Sequence, residues 1–342
     1  MADALIHRTW RCPRLRNVLN VTIDPHRSER PMSLSQDQFD GCMLGLATGD
    51  ALGAPHEGGP LERLVWRLIG RTSDGCLRWT DDTQMSLDLA ESLLDEGGVN
   101  PEALAKRFAA SYRWSRGYGA GAAKVLKRIR RGEAWETAAK AAYVEGSFGN
   151  GAAMRAPIVA LYFPYDRKTL LDAAKSSAVV THAHPLGIEG AILVAIAAQV
   201  LLRRRSPIEV LEAIRCECRS PEMSVRLQTI ASWMESKATP GPREVASKLG
   251  NGITAPTSCP TAIYIALSHR DASFEDMMQF VIACRGDVDT IGAMAGALWG
   301  IVNGAERLPQ VRLEARDRIL SVARRMFQNS TGPGAASNRD GA

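Results

Sequence analysis

The sequence has no apolar run approaching the roughly 20 residues that span a bilayer. The best stretch, residues 191–202, is too short and ends in Arg203-Arg204-Arg205, which predicts a buried helix with a basic C-terminal end and no membrane partner. A signal-peptide core is missing as well. The seven cysteines, Cys12, Cys42, Cys76, Cys216, Cys218, Cys259 and Cys284, are odd in number and scattered, which argues against a disulfide framework and predicts a reducing, cytoplasmic setting. Cys216-Glu217-Cys218 has no matching His or Cys pair nearby, so no zinc is assigned to it. Lys+Arg 42 against Asp+Glu 37 leaves a formal +5, but the charges are dispersed, without the basic stripe that marks a nucleic-acid binder. Strand-like alternation is nearly absent, and no segment repeats at a fixed period.

What is present is helical. Met85, Leu89 and Leu93 fall four apart, as do Leu104 and Phe108, and Ile192, Ile196 and Val200. Gly- and Pro-containing breaks divide the chain into some ten or more helices. Ser35-Gln36-Asp37-Gln38 has the form of a capping box opening a helix over residues 39–51. With 342 residues, 45% of them hydrophobic, the chain can build a substantial core. The expectation is a soluble, single compact all-α domain over 35–328, preceded by a poorly ordered extension (1–34) and followed by a flexible tail (329–342). The first 31 residues carry six arginines against three acids, and Met32 begins a more domain-like sequence. Gly292, Gly296 and Gly300 leave one face of the last core helix nearly free of side chains, so another helix can approach its backbone and draw Asp287 inward.

Two acidic clusters stand out: Trp79-Thr80-Asp81-Asp82-Thr83 and Gly286-Asp287-Val288-Asp289-Thr290. Each opens a helix, and one Asp or Thr there would be an ordinary N-cap. Two carboxylates plus a hydroxyl exceed what a cap needs, and like charges so close repel unless a cation lies between them. Their oxygens suit Mg²⁺ or Mn²⁺ better than zinc. Glu57 ends a Gly/Pro-rich turn, either as a plain exposed carboxylate or as a mobile acid, whereas Asp50 has the marks of a structural acid. Gly146-Ser147-Phe148-Gly149-Asn150-Gly151-Ala152-Ala153-Met154-Arg155 is a glycine-rich turn before an Ala-rich helix, able to hold phosphate on exposed N–H groups. It is neither a P-loop nor a dinucleotide fingerprint. Thr181-His182-Ala183-His184 offers two imidazoles without a third ligand for zinc.

Taken in order, Gly49-Asp50-Ala51-Leu52-Gly53 with Glu57, Trp79-Thr80-Asp81-Asp82-Thr83, Gly149-Asn150-Gly151 with Met154-Arg155, Thr181-His182, and Gly286-Asp287-x-Asp289-Thr290 resemble the ADP-ribosylglycohydrolase family, which includes the dinitrogenase reductase-activating glycohydrolases. The resemblance implies an all-α fold with a central di-metal cleft holding two Mg²⁺ or Mn²⁺ ions. It implies a hydrolase that cleaves the glycosidic bond between ADP-ribose and an acceptor and so reverses ADP-ribosylation. The matching positions make Thr80, Asp81, Asp82, Asp287, Asp289 and Thr290 the metal ligands. They place Gly149, Asn150, Gly151, Met154 and His182 on the substrate and Glu57 on a mobile loop over the metals. Independently of the family, a carboxylate near the metals can shuttle the proton, with Glu57, Asp81, Asp82 and Asp289 as the candidates for catalytic acid or base. The expected partner is an ADP-ribosylated acceptor, with protein favoured over nucleic acid or small molecule, and the expected state is a monomer.

Two positions depart from the family pattern. Many members have Thr where this chain has Val288, which predicts only a packing change. Arginine-specific members carry an acid near Gly117-Tyr118-Gly119, where Tyr118 stands here, and this puts arginine specificity in question. Two other classes compete: a catalytically inert ADP-ribose-binding or structural relative, and an all-α Mg²⁺ enzyme acting on diphosphates. The latter needs Asp-Asp-x-x-Asp, and the fifth position here is Met85.

Overall fold

Apolar residues recurring every three to four positions, with Ser, Thr, Asp or Asn at the starts, produce helices nearly throughout the computed structural model, which describes residues 33–140 and 142–331. In chain order they are α1 (Gln36–Gly53), α2 (Pro60–Ile69), α3 (Asp81–Glu96), α4 (Pro101–Ser111), α5 (Ala120–Arg130), α6 (Trp135–Ala138), α7 (Ala156–Tyr162), α8 (Arg167–Val179), α9 (Pro185–Leu202), α10 (Pro207–Glu217), α11 (Pro221–Glu235), α12 (Pro242–Leu249), α13 (Ala255–Ser268), α14 (Phe274–Cys284), α15 (Val288–Asn303) and α16 (Arg316–Thr331). Among the described residues, β structure is limited to isolated bridges, including Gly149 with Thr254. The described residues from Leu34 onward fall in one compact unit, as expected for a single all-α domain.

The extension expected over 1–34 and the tail expected over 329–342 lie almost wholly outside the described residues. α16 runs on to Thr331, so residues 329–331 are helical. The capping box expected at Ser35 is present: its side chain accepts from the Gln38 N–H, and the Gln38 side chain accepts from the Ser35 N–H. The apolar stretch at 191–202 is part of a longer helix than expected, because Pro185 starts α9 six residues earlier. At 18 residues and a mean hydropathy of 1.9, α9 is long and apolar enough to cross a bilayer, but 78% of it is buried inside the molecule. Six cysteines, Cys42, Cys76, Cys216, Cys218, Cys259 and Cys284, are free thiols.

The pairing of α1 with α15 sets the geometry that matters for function. A methyl group added at Gly45 would lie 2.2 Å from the Gly296 carbonyl oxygen, and one added at Gly296 would lie 2.2 Å from that of Gly45. The same holds at Gly49 against Gly292 (2.1 Å) and Gly41 against Gly300 (2.2 Å). The backbones therefore meet along the whole seam, closer than any other residue type allows. This contact brings the start of α15, with Asp287 and Asp289, beside the end of α1; at Gly53 the obstruction is the backbone of Val288 and Asp289 itself.

Candidate metal and ligand site

Three helix ends converge at one end of the α1/α15 seam. From α1, the Asp50 carboxylate accepts the Thr80 and Thr83 N–H groups at 3.0 and 3.1 Å and the Thr83 hydroxyl at 2.5 Å. It thus ties down the start of α3, where Thr80 is the N-cap and accepts from the Asp82 N–H. From the other side, Asp287 precedes α15, and its N–H donates to the Asn251 carbonyl at 2.8 Å. The left-handed backbone at Gly286, φ 78°, makes this turn possible, and a methyl group there would lie 1.9 Å from the same Asn251 oxygen.

The two acidic clusters, far apart in the chain, therefore meet. Thr290 Oγ1 donates to Asp82 Oδ1 at 3.4 Å. Asp50, Asp82 and Asp289 each place a carboxylate oxygen within 4.8 Å of the others, and so do Glu57, Asp287 and Asp289. Asp82, Asp287 and Asp289 are buried, whereas Asp81 and Glu57 are half-buried. Burial first, and then the neighbouring carboxylates, hold Asp81, Asp82 and Asp289 well above the usual carboxylate range. Burial also raises Asp287, against the hydrogen bond from Asn150, and raises Asp50 to about 6 against those from Thr83 and Thr80. So many acids cannot all ionise in one buried space without a cation. Asp82 Oδ2 is buried with no hydrogen-bond partner among the described residues. An oxygen-only donor set with an orphaned carboxylate oxygen fits Mg²⁺ or Mn²⁺.

Against this acidic end lies the glycine-rich turn. Asn150 donates through Nδ2 to Asp287 Oδ2 and to Ser258 Oγ, the latter at 3.0 Å. Its backbone N–H donates to the Ile253 carbonyl at 3.0 Å. The His182 ring closes one side: a methyl group on Gly151 would lie 2.6 Å from its Cε1, and one on Gly149 3.2 Å from its Nε2. At Gly151 a side chain would drive the ring away, and at Gly149 the ring would have to give by a few tenths of an ångström. Met154 is buried beneath the turn, Phe148 is 44% exposed beside it, and the Phe148 ring lies 5.3 Å from that of His184. The structure thus brings Glu57, Thr80, Asp81, Asp82, Asp287, Asp289 and Thr290 to the acidic end, and Gly149, Asn150, Gly151 and His182 to the glycine turn next to it.

The chain as a whole is similar to known proteins. The ADP-ribosylglycohydrolase family model matches residues 31–336. The chain belongs to the ADP-ribosylglycohydrolase family. It is 32% identical to the ADP-ribosylhydrolase ARH3 of Danio rerio over 85% of this chain and 90% of that protein. For ARH3 of Homo sapiens the identity is 31%, over 86% and 95%. A solved structure titled ADP-ribosylglycohydrolase-related protein complex superposes with a TM-score of 0.64 at 26% identity, over 86% of this chain and 99% of that one. Within the family frame, Val288 is fully buried, consistent with a packing role. Tyr118 is buried, and its ring lies 4.8 Å from that of Tyr112.

Three residues at the site carry little signal in the sequence. Asp50 joins the acid cluster while serving as the anchor of α3. Phe148 supplies an exposed aromatic face. Arg155, fully buried beneath the glycine turn, organises residues around it. A separate cavity of about 470 Å³, lined by Trp233, Lys237, Tyr264 and Phe280 among others, includes none of the acidic residues.

Proposed function

We propose that this cleft hydrolyses the glycosidic bond between ADP-ribose and its acceptor, with two divalent cations held by Thr80, Asp81, Asp82, Asp287, Asp289 and Thr290. The observation that carries this reading is the meeting of the two acidic clusters next to a glycine turn. When bound, such cations neutralise the carboxylates, orient vicinal ribose hydroxyls and polarise the reacting oxygens.

The residues divide the remaining work by burial. Asp82, Asp287 and Asp289 are sunk behind other groups and serve as anions that hold charge in place. Glu57 is half-buried on the turn after Ala54–His56, with an oxygen close to those of Asp287 and Asp289. It is the acid best placed to exchange protons with solvent, taking one from the attacking water and returning it to the departing acceptor oxygen or nitrogen. Asp81, also half-buried, is the next candidate. The turn at Gly149, Asn150 and Gly151 has the bare backbone that suits a diphosphate, while Phe148 offers a face on which an adenine can stack. Asn150, bonded to Asp287, couples the ligand pocket to the acidic end.

The test is a panel of defined ADP-ribosylated acceptors (serine-, arginine- and nucleic-acid-linked, and a small-molecule ester) incubated with Mg²⁺ or with EDTA. Release of ADP-ribose from at least one acceptor in Mg²⁺, and from none in EDTA, is the expected result. Tight ADP-ribose binding with no release from any acceptor would instead mark an inert binder.

A further inference from the structure

Arg155 is 0% exposed, and none of its hydrogen bonds goes to a carboxylate. Nη1 donates to the Gly151 carbonyl at 2.6 Å, and Nη2 donates to the Ser177 carbonyl at 2.8 Å and to Thr181 Oγ1 at 3.0 Å. Its guanidinium carbon lies 4.9 Å from the Phe108 ring centre. Burial lowers its pKa to about 9, which still leaves it charged near neutrality. A buried cation without a paired anion is costly, so its contacts call for an explanation beyond packing.

They lead to His182. Thr181, 1% exposed, lies with Oγ1 at 2.8 Å from His182 Nδ1. Because arginine can only donate, Thr181 Oγ1 accepts from Nη2. The threonine's own hydrogen then has Nδ1 as its one acceptor among the described residues. If Nδ1 carried a proton instead, that buried hydroxyl hydrogen would be stranded, and an unmet buried donor is costly. Nδ1 therefore accepts. Burial first, and then the nearby Arg155 charge, depress the His182 pKa to about 3, so the ring is neutral and its single proton sits on Nε2. Nε2 makes no hydrogen bond among the described residues and lies against Gly149 and Gly151.

We infer that Arg155 and Thr181 are positioning residues that hold His182 in the Nε2–H tautomer and present that N–H as a donor to an oxygen of the ligand in the glycine-lined pocket. The same guanidinium holds the Gly151 carbonyl, so ring and turn are fixed together by one side chain. The donor suits an acceptor oxygen, which phosphate or ribose supplies, and could not serve a ligand group that itself only donates. The inference rests on the pocket being the ADP-ribose site.

The decisive experiment records the long-range ¹H–¹⁵N spectrum of the histidines in the full-length protein, with His182→Gln used to assign its signals, alongside calorimetric titration of ADP-ribose. The wild type is expected to show a protonated Nε2 and a bare Nδ1 at His182, unchanged between about pH 5 and 8. Thr181→Val, which keeps the shape and removes the hydroxyl, is expected to release the proton to both nitrogens and weaken ADP-ribose binding about tenfold, with Thr181→Ser within about twofold of wild type. A protonated Nδ1 in the wild type overturns the inference without any variant, even if Thr181→Val does not fold. An unchanged tautomer and affinity in a folded Thr181→Val overturns it as well. Wild type that binds no ADP-ribose overturns the reading of the pocket instead, while its spectrum still decides the tautomer.

Discussion

The α1/α15 seam and the acidic pocket at its end are built from the same two helices and obey opposite rules. Along the seam, glycine backbones of one helix meet those of the other, Gly41, Gly45 and Gly49 against Gly300, Gly296 and Gly292. At the end of it, several carboxylates share one buried space and Asp82 Oδ2 has no hydrogen-bond partner among the described residues. Tight, settled packing places the residues, and a deliberately unsettled cluster is left at the spot they define. Stability belongs to the first region and chemistry to the second, a division seen where function requires local destabilisation.

The strongest attack on this contrast removes an acid from either helix. Asp289→Asn or Asp82→Asn should lower kcat/KM by about 10³-fold, roughly 4 kcal/mol in transition-state terms, with the helical circular dichroism unchanged. Gly45→Val or Gly296→Val should do the reverse, costing about 3 kcal/mol or more of stability by forcing apart two touching backbones, as read from denaturant midpoints. Glu57→Gln sharpens the assignment within the pocket: kcat should fall about 10²-fold with KM little changed, since the half-buried acid moves protons rather than holding the ligand.

Smaller effects test the electrostatics. In EDTA, Asp82→Asn should be more stable than wild type by about 1 kcal/mol, because it removes one of several repelling buried charges. The sign of the pH effect follows from the raised pKa values. A carboxyl held above its unfolded value binds more protons when folded, so the metal-free protein should lose stability as pH rises. For Asp50 the window runs from the ordinary 3.8 to about 6. Thermal melts in EDTA between pH 4 and 8 should show this fall, and Mg²⁺ should reverse it at the upper end, where the acids are ionised.

Much of this was legible before any coordinates. The 3.6-residue apolar pattern reveals the helices because packing imposes it, and the excess of carboxylates at two helix starts reveals the site because capping alone cannot account for it. Gly292, Gly296 and Gly300 announce a close approach. Their partners Gly41, Gly45, Gly49 and Gly53 do not, since nothing local shows which of two glycine-bearing helices will meet. Asp50 passes for a lone structural acid because its hydrogen bonds go to a backbone about 30 residues away. Arg155 looks like the end of a motif, and its role emerges only when α7, α8 and the turn before α9 are assembled around it. Likewise, α9 reads as too short because Pro185, which breaks a helix when internal, here begins one.

Whether the two acidic clusters hold one metal site is decided by Mn²⁺ binding, followed by the loss of the free-ion electron paramagnetic resonance signal, in wild type and in Asp82→Asn and Asp289→Asn separately. Wild type should take up Mn²⁺ tightly and both variants should bind it markedly more weakly, because one acid from each helix contributes to the same site. Uptake that is unaffected by either substitution would contradict a shared site.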